Sequence, residues 1–156
     1  MARKNENRKL EYDDRAMKLG VRFYQESEIP LDLLYHLMKT KRLRTFSAIM
    51  LQSDMERFGA FLEREKRRTD LLYEIDAERN IYALLCQETQ VDGGFYFIKR
   101  LAKLIDGKDE GNIHAAIIGV EGTNYPAKDL MFIILDTFIK ATSPETEETI
   151  IFRTVK

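Results

Sequence analysis

Apolar positions along the chain switch between a helical spacing and short continuous runs, and those switches mark out the elements. From Leu10, apolar residues recur at Met17, Val21 and Tyr24, a near-heptad spacing that suits a helix, although Gly20 inside it weakens the case. Glu28-Ile29-Pro30 then predicts the start of a second helix, because proline is favoured in a first helical turn. The apolar face of that helix is Leu31, Leu34, Tyr35 and Leu37 or Met38, with Lys39, Lys41 and Arg42 suited to its C-terminal dipole. Phe46 to Leu51 is an apolar run of strand length. Asp54 can cap a helix from Met55 to about Arg68, with Phe58, Phe61 and Leu62 inward. Asp70 to Ile75 and Asn80 to Cys86 read as two strands, and the polar Asp76-Ala77-Glu78-Arg79-Asn80 between them as a hairpin turn. Val91 to Ile105 carries a helical stripe of Phe95, Ile98, Leu101, Ala102 and Ile105, followed by a loop from Gly107 to Gly111. Ile113 to Val120 is apolar throughout, as a strand buried on both faces must be. Pro126 begins a helix through Ala141, and Thr149 to Val155 is a last strand.

The resulting order, β-α-β-β-α-β-α-β behind N-terminal helices, predicts an α+β fold of ferredoxin-like type. Its centre is a five-stranded, mostly antiparallel sheet with helices packed on it. The boundary is expected at Pro30: residues 1–29 form an N-terminal helical extension and residues 30–156 the sheet domain. A length of 156 residues fits one such domain with a real core. Residues Met1 to about Asn7 are expected to fray.

Composition narrows the classes. A net charge of −1 gives no bulk attraction to nucleic acid or anionic lipid, so DNA is not an expected partner. The charge is uneven: Arg3 to Lys9 and Lys39 to Arg44 are basic, Glu63 to Asp70 mixed, and Glu145 to Glu148 acidic. The one cysteine, Cys86, lies in an apolar run; no intramolecular disulfide can form, and a reducing compartment follows. The N-terminus has no apolar signal core, and no apolar run approaches the roughly 18 residues of a membrane span. The expected location is cytoplasmic.

The candidate chemistry sits at Arg67-Arg68-Thr69-Asp70, where a charged helix hands over to a strand. An arginine donates to O6 and N7 of guanine, and a carboxylate three residues on can accept from the ring and amino N–H groups. The alternative is an ordinary solvated helix end. Elsewhere the plainer readings are preferred: Asp54 and Glu56 as a helix cap, His36 and His114 as structural residues, and Gly93-Gly94 as close packing of helix on sheet. Phe95, Tyr96 and Phe97 read as core with one exposed ring, and Lys39 to Arg44 as a solvated helix end.

Taken together, these stretches resemble the GGDEF domain, the diguanylate cyclase family, over about Phe46 to Ala141, and the resemblance implies a nucleotide-cyclase-like version of the ferredoxin-like sheet. Phe46 to Asp54 stands where the family has its first strand and acidic metal motif. Arg67 to Asp70 matches its RxxD, which lies just before the signature hairpin. Ile81 to Cys86 resembles the strand after the signature, and Asp92 to Leu101, ending Lys99-Arg100-Leu101, the following helix. Ile117-Ile118-Gly119-Val120 resembles the S-I-G-V strand, and Leu135-Asp136 the alanine-aspartate pair of the last helix.

The departures are chemical. The signature hairpin reads Ala77-Glu78-Arg79-Asn80-Ile81, with no glycine pair to let a nucleotide approach the backbone. The first metal carboxylate falls at Gln52, although Asp54 survives, and the lysine of the last helix falls near Ser143. The segment between Asp54 and Arg67 is much shorter than in the family, and the missing piece normally holds guanine and phosphate. Phosphoryl transfer without metal cage or phosphate cradle has little to stabilise its charge, so the resemblance implies a degenerate, non-catalytic domain.

What it leaves is the family's inhibitory site for cyclic di-GMP. The resemblance supplies Arg67, Asp70 and Arg100, with Arg68 and Arg64 as local helpers. Two arginines and a carboxylate can serve a guanine and a phosphate through charge-assisted hydrogen bonds. The expected role is a receptor that passes a ligand-dependent change to a protein partner. The alternative is a cyclase-like scaffold that binds no nucleotide and works through protein–protein contacts, and an unrelated ferredoxin-like regulatory domain also stays open. A homodimer through the N-terminal helices is expected by analogy with the family. No cofactor is expected.

Overall fold

Five strands form one sheet in the spatial order β2-β3-β1-β4-β5, in a computed structural model that describes residues 12–107, 112–145 and 147–156. The strands are β1 (Phe46–Ser53), β2 (Leu71–Asp76), β3 (Ile81–Gln87), β4 (Ile113–Val120) and β5 (Ile150–Val155). The helices are α1 (Met17–Lys39, entered through a π-helical turn, Tyr12–Ala16), α2 (Phe58–Glu65), α3 (Val91–Asp106) and α4 (Ala127–Thr142). Every neighbouring pair is antiparallel except β4 and β5, which are parallel around α4. The first four strands thus make a split βαβ pair, with β3 between β1 and β2 and β1 between β3 and β4. The predicted α+β fold and the predicted element order from β1 to β5 are the observed ones. The expected fraying of Met1 to Asn7 lies outside the described residues, as does most of the expected Gly107–Gly111 loop.

The sheet is covered on both faces because its central strands are apolar on both. Alternation along β1 sends Ala48 and Met50 to one side and Ile49 and Leu51 to the other. On the first side they meet Phe23, Leu31 and Leu34 of α1 and Leu130, Ile134 and Phe138 of α4. On the second they meet Phe58, Phe61 and Leu62 of α2 and Ile98, Leu101 and Ile105 of α3. Phe23, Phe46, Phe58 and Phe61 are among the largest fully buried side chains. A buried phenylalanine of this kind is worth about 3–5 kcal/mol against alanine.

Two element predictions are corrected. The chain does not start a new helix at Pro30; α1 runs unbroken from Met17 to Lys39 with Pro30 inside it. The missing N–H removes one helical hydrogen bond, which with ring crowding costs about 3 kcal/mol. Burial of Leu31, Leu34, Tyr35 and Met38 immediately beyond it more than offsets that loss. The buried stripe of α1 is Gly20, Phe23, Ser27, Leu31, Leu34 and Met38, whereas Met17 and Val21 are exposed. Gly20 lies at a close crossing: a Cβ there would stand 3.1 Å from Leu135 and 3.3 Å from Met131 of α4. The second correction is at α2, which begins at Phe58 rather than Met55. Arg57 precedes it in the left-handed region (φ 58°), and Ser53 Oγ, not Asp54, accepts the Met55 N–H at 3.2 Å.

Candidate functional site

The RxxD stretch is a turn between α2 and β2, and its geometry follows from the spacing. The Asp70 N–H donates to the Arg67 carbonyl at 3.1 Å, closing a four-residue turn. The Asp70 carboxylate returns the bond, Oδ2 accepting the Arg67 N–H at 3.0 Å. Residues one and four of such a turn lie side by side, so the Arg67 side chain folds back onto the same carboxylate. Its Nε and Nη2 reach Asp70 Oδ1 at 3.1 and 2.9 Å. Nη2 also donates to the Gln87 carbonyl at 2.9 Å and to Thr89 Oγ1 at 2.6 Å. Asp70 is only 3% exposed while Arg67 is 52% exposed: a buried carboxylate holds a half-open guanidinium. That hydrogen bond raises the Arg67 pKa further above its ordinary value. Among the described residues Nη1 of Arg67 has no partner.

Arg100 arrives from α3. Its Nη2 donates to the Glu65 carbonyl at the end of α2, 3.2 Å away, and its guanidinium lies 5.4 Å from the centre of the Phe97 ring. Arg67, Asp70 and Arg100 line one groove of about 950 Å³, within the range of small-molecule sites. Arg44, Glu88 and Glu121 line it too, with Gly93, Gly94 and the rim residue Tyr96, whose ring is 71% exposed. Tyr96 is the exposed ring of the Phe95–Phe97 cluster. Gly94 packs tightly, since a Cβ there would stand 2.9 Å from Ile117.

Arg64 and Arg68 do not line this groove. The Arg64 guanidinium instead lies over the Phe61 ring at 5.8 Å. Glu88 was not singled out from sequence, and Arg44 was read only as part of the solvated Lys39–Arg44 helix end; both sit in loops with no spacing signal. Glu88 does carry a structural mark, a left-handed backbone (φ 50°) that non-glycine residues rarely adopt. Cys86 also borders the groove; burial, and then the Asp70 carboxylate, push its thiol pKa far up and keep it protonated.

At the opposite end of β1 stands the β2–β3 hairpin. Gln52 pairs with Ile81, and its Nε2 donates to the Arg79 carbonyl at 2.9 Å. Asn80 adopts φ 55°, and its Nδ2 donates to the Met55 carbonyl at 3.0 Å. Asp76 Oδ1 accepts the Glu78 and Arg79 N–H groups at 3.1 and 3.3 Å. The hairpin is thus tied to its neighbours by side chains. Among the described residues no three histidine, cysteine, aspartate or glutamate side chains gather in a group that can hold a metal ion. His114 Nδ1 is occupied by the Ala141 carbonyl at 2.9 Å. Among the described residues no helix is long and apolar enough to cross a membrane.

No protein-family profile and no curated protein matches the chain in sequence. Solved structures do match in shape. The GGDEF domain of FimX from Pseudomonas aeruginosa superposes with a TM-score of 0.61 at 9% identity, over 83% of this chain and 92% of that one. A fragment of PelD from Pseudomonas aeruginosa PAO1 gives a TM-score of 0.48 at 17% identity, over 81% of this chain and 48% of that one. The diguanylate cyclase SiaD of Pseudomonas aeruginosa, solved in complex with its activator SiaC, gives 0.49 at 12% identity, over 97% and 76%. The FimX likeness assigns the fold: this chain shares the fold of that domain.

Proposed function

We propose that this protein is a non-catalytic receptor for cyclic di-GMP. The observation that carries the reading is the convergence on one groove of two arginines from separate elements, Arg67 before β2 and Arg100 in α3. Cyclic di-GMP brings two phosphates and two guanine Hoogsteen edges to such a pair. The open Nη1 of Arg67 and the stacked guanidinium of Arg100 are its donors, and Tyr96 on the rim offers a face for a base. Asp70 contributes by aiming Arg67, because Arg67 already occupies both of its oxygens. Against catalysis stand Gln52, an amide committed to the Arg79 carbonyl where the family has a metal carboxylate, and a hairpin without glycine. Bound ligand would alter a surface read by a partner protein in the cytoplasm.

Isothermal titration with cyclic di-GMP tests the reading: saturable binding by the wild type, weakened about a hundredfold in Arg67→Ala, is expected. No heat at high micromolar ligand, or equal binding by the variant, would overturn it.

A second reading, a scaffold without nucleotide, draws on the apolar residues that α1 exposes, Ile29 (82%) and Leu33 (57%) above all. It predicts a flat thermal-shift response to cyclic di-GMP. A receptor at a hundred times its dissociation constant gains about 2.7 kcal/mol. Dimerisation through α1 would appear in light scattering as a doubled mass.

A further inference from the structure

We infer that Glu88, rather than Asp70, is the carboxylate that selects guanine in this groove; the assignment rests on the cyclic-dinucleotide reading above. A carboxylate that reads guanine must offer open lone pairs to two parallel donors, the ring N1–H and the 2-amino group. Asp70 cannot do so without releasing Arg67. It is 3% exposed, and its oxygens accept the Arg67 N–H, Nε and Nη2 between 2.9 and 3.1 Å.

Glu88 meets the requirement. It follows Gln87 and precedes Thr89, the two residues whose oxygens bracket Arg67 Nη2, so its own position is fixed relative to that guanidinium. Its backbone is held in the left-handed region at φ 50°, and its N–H donates to the Thr45 carbonyl at 2.9 Å. Oε1 accepts the Arg44 N–H at 3.3 Å, which anchors the carboxylate at the groove, and among the described residues Oε2 has no partner. A non-glycine residue in an uncommon conformation, pinned at both main chain and side chain, is a residue whose placement the surrounding structure enforces. Arginine and carboxylate then address different edges of one base: Arg67 the Hoogsteen edge, Glu88 the Watson–Crick edge. Adenine presents an acceptor at N1 and no 2-amino group, so a carboxylate there rejects it.

Titration of wild type, Glu88→Gln and Asp70→Asn with cyclic di-GMP and with cyclic di-AMP tests the assignment. Glu88 is exposed, so its isosteric amide should fold normally, as near-ultraviolet circular dichroism would verify. The wild type should prefer cyclic di-GMP. Glu88→Gln should bind it about tenfold more weakly without losing affinity for cyclic di-AMP, because an amide complements the adenine edge. Asp70→Asn should weaken both dinucleotides by a similar factor, as a residue that only aims Arg67 must. Wild-type binding of cyclic di-GMP with Glu88→Gln unchanged, or a preference shifted by Asp70→Asn alone, would overturn the assignment and leave the receptor reading intact. A wild type that binds neither dinucleotide overturns both.

Discussion

The two ends of the β1–β3 ladder, roughly 20 Å apart at the rise of a strand, have been treated in opposite ways. At the Phe46/Gln87 end, side chains hold an arginine half open over a groove, with a second arginine across it. At the Gln52/Ile81 end, the side chains of Gln52, Asn80 and Asp76 bond to backbone atoms in and beside the hairpin. Polar groups at the first end are left with capacity to meet something else; at the second, those named are spent on the protein itself. Under the reading proposed above, the first end is the one equipped to meet a ligand and the second is a structural hairpin. The lesson is that partnering separates the two ends better than composition does, since both are rich in charge.

The largest expected effect comes from breaking the open end. Arg67→Ala should weaken cyclic di-GMP binding about a hundredfold, equivalent to about 2.7 kcal/mol. It should also lower stability by about 1–3 kcal/mol in urea, because Asp70 is left buried with its main partner gone. At the closed end, Gln52→Glu puts a carboxylate against the Arg79 carbonyl. That change should cost about 1–2 kcal/mol and leave cyclic di-GMP affinity within twofold. With magnesium and radiolabelled GTP the same variant should stay at background turnover; turnover above background would contradict the non-catalytic reading. The smallest effects should come from Arg64→Ala and Arg68→Ala, charged neighbours outside the groove, each within twofold of wild-type affinity in the same titration.

Most of the fold was legible because its strands are apolar runs bounded by turn residues, and β1 through β5 fall within a residue or two of the expected spans. The continuity of α1 was not. The apolar stripe at Met17 and Val21 is an exposed one, while the buried stripe includes Gly20 and Ser27, small residues that carry little hydrophobic signal. Gly20 is buried because α4 passes close to it, and Ser27 satisfies its hydroxyl on the Phe23 carbonyl. The burial of Gly20 is a consequence of packing against a helix more than a hundred residues away. In the same way the start of α2 depends on the left-handed backbone of Arg57, which an arginine does not announce.

The site divides along the same line. Arg67 and Asp70 were readable because a four-residue turn brings its ends together whatever surrounds it. Arg100 was readable only through a family likeness, since nothing local ties it to a turn 30 residues earlier. Glu88, Arg44 and Tyr96 reach the groove by sheet register and helix placement, which have no local sequence mark. The helper roles expected of Arg64 and Arg68 came from proximity in sequence alone, which a helix end redistributes around its axis.

Arg100 gives the most direct test of whether the groove is one site, because it is exposed and its removal leaves the Arg67–Asp70 turn untouched. Titration of Arg100→Ala with cyclic di-GMP should show affinity about tenfold below wild type, with the melting temperature of the unliganded protein unchanged. Affinity equal to that of the wild type would contradict a groove in which both arginines serve one ligand.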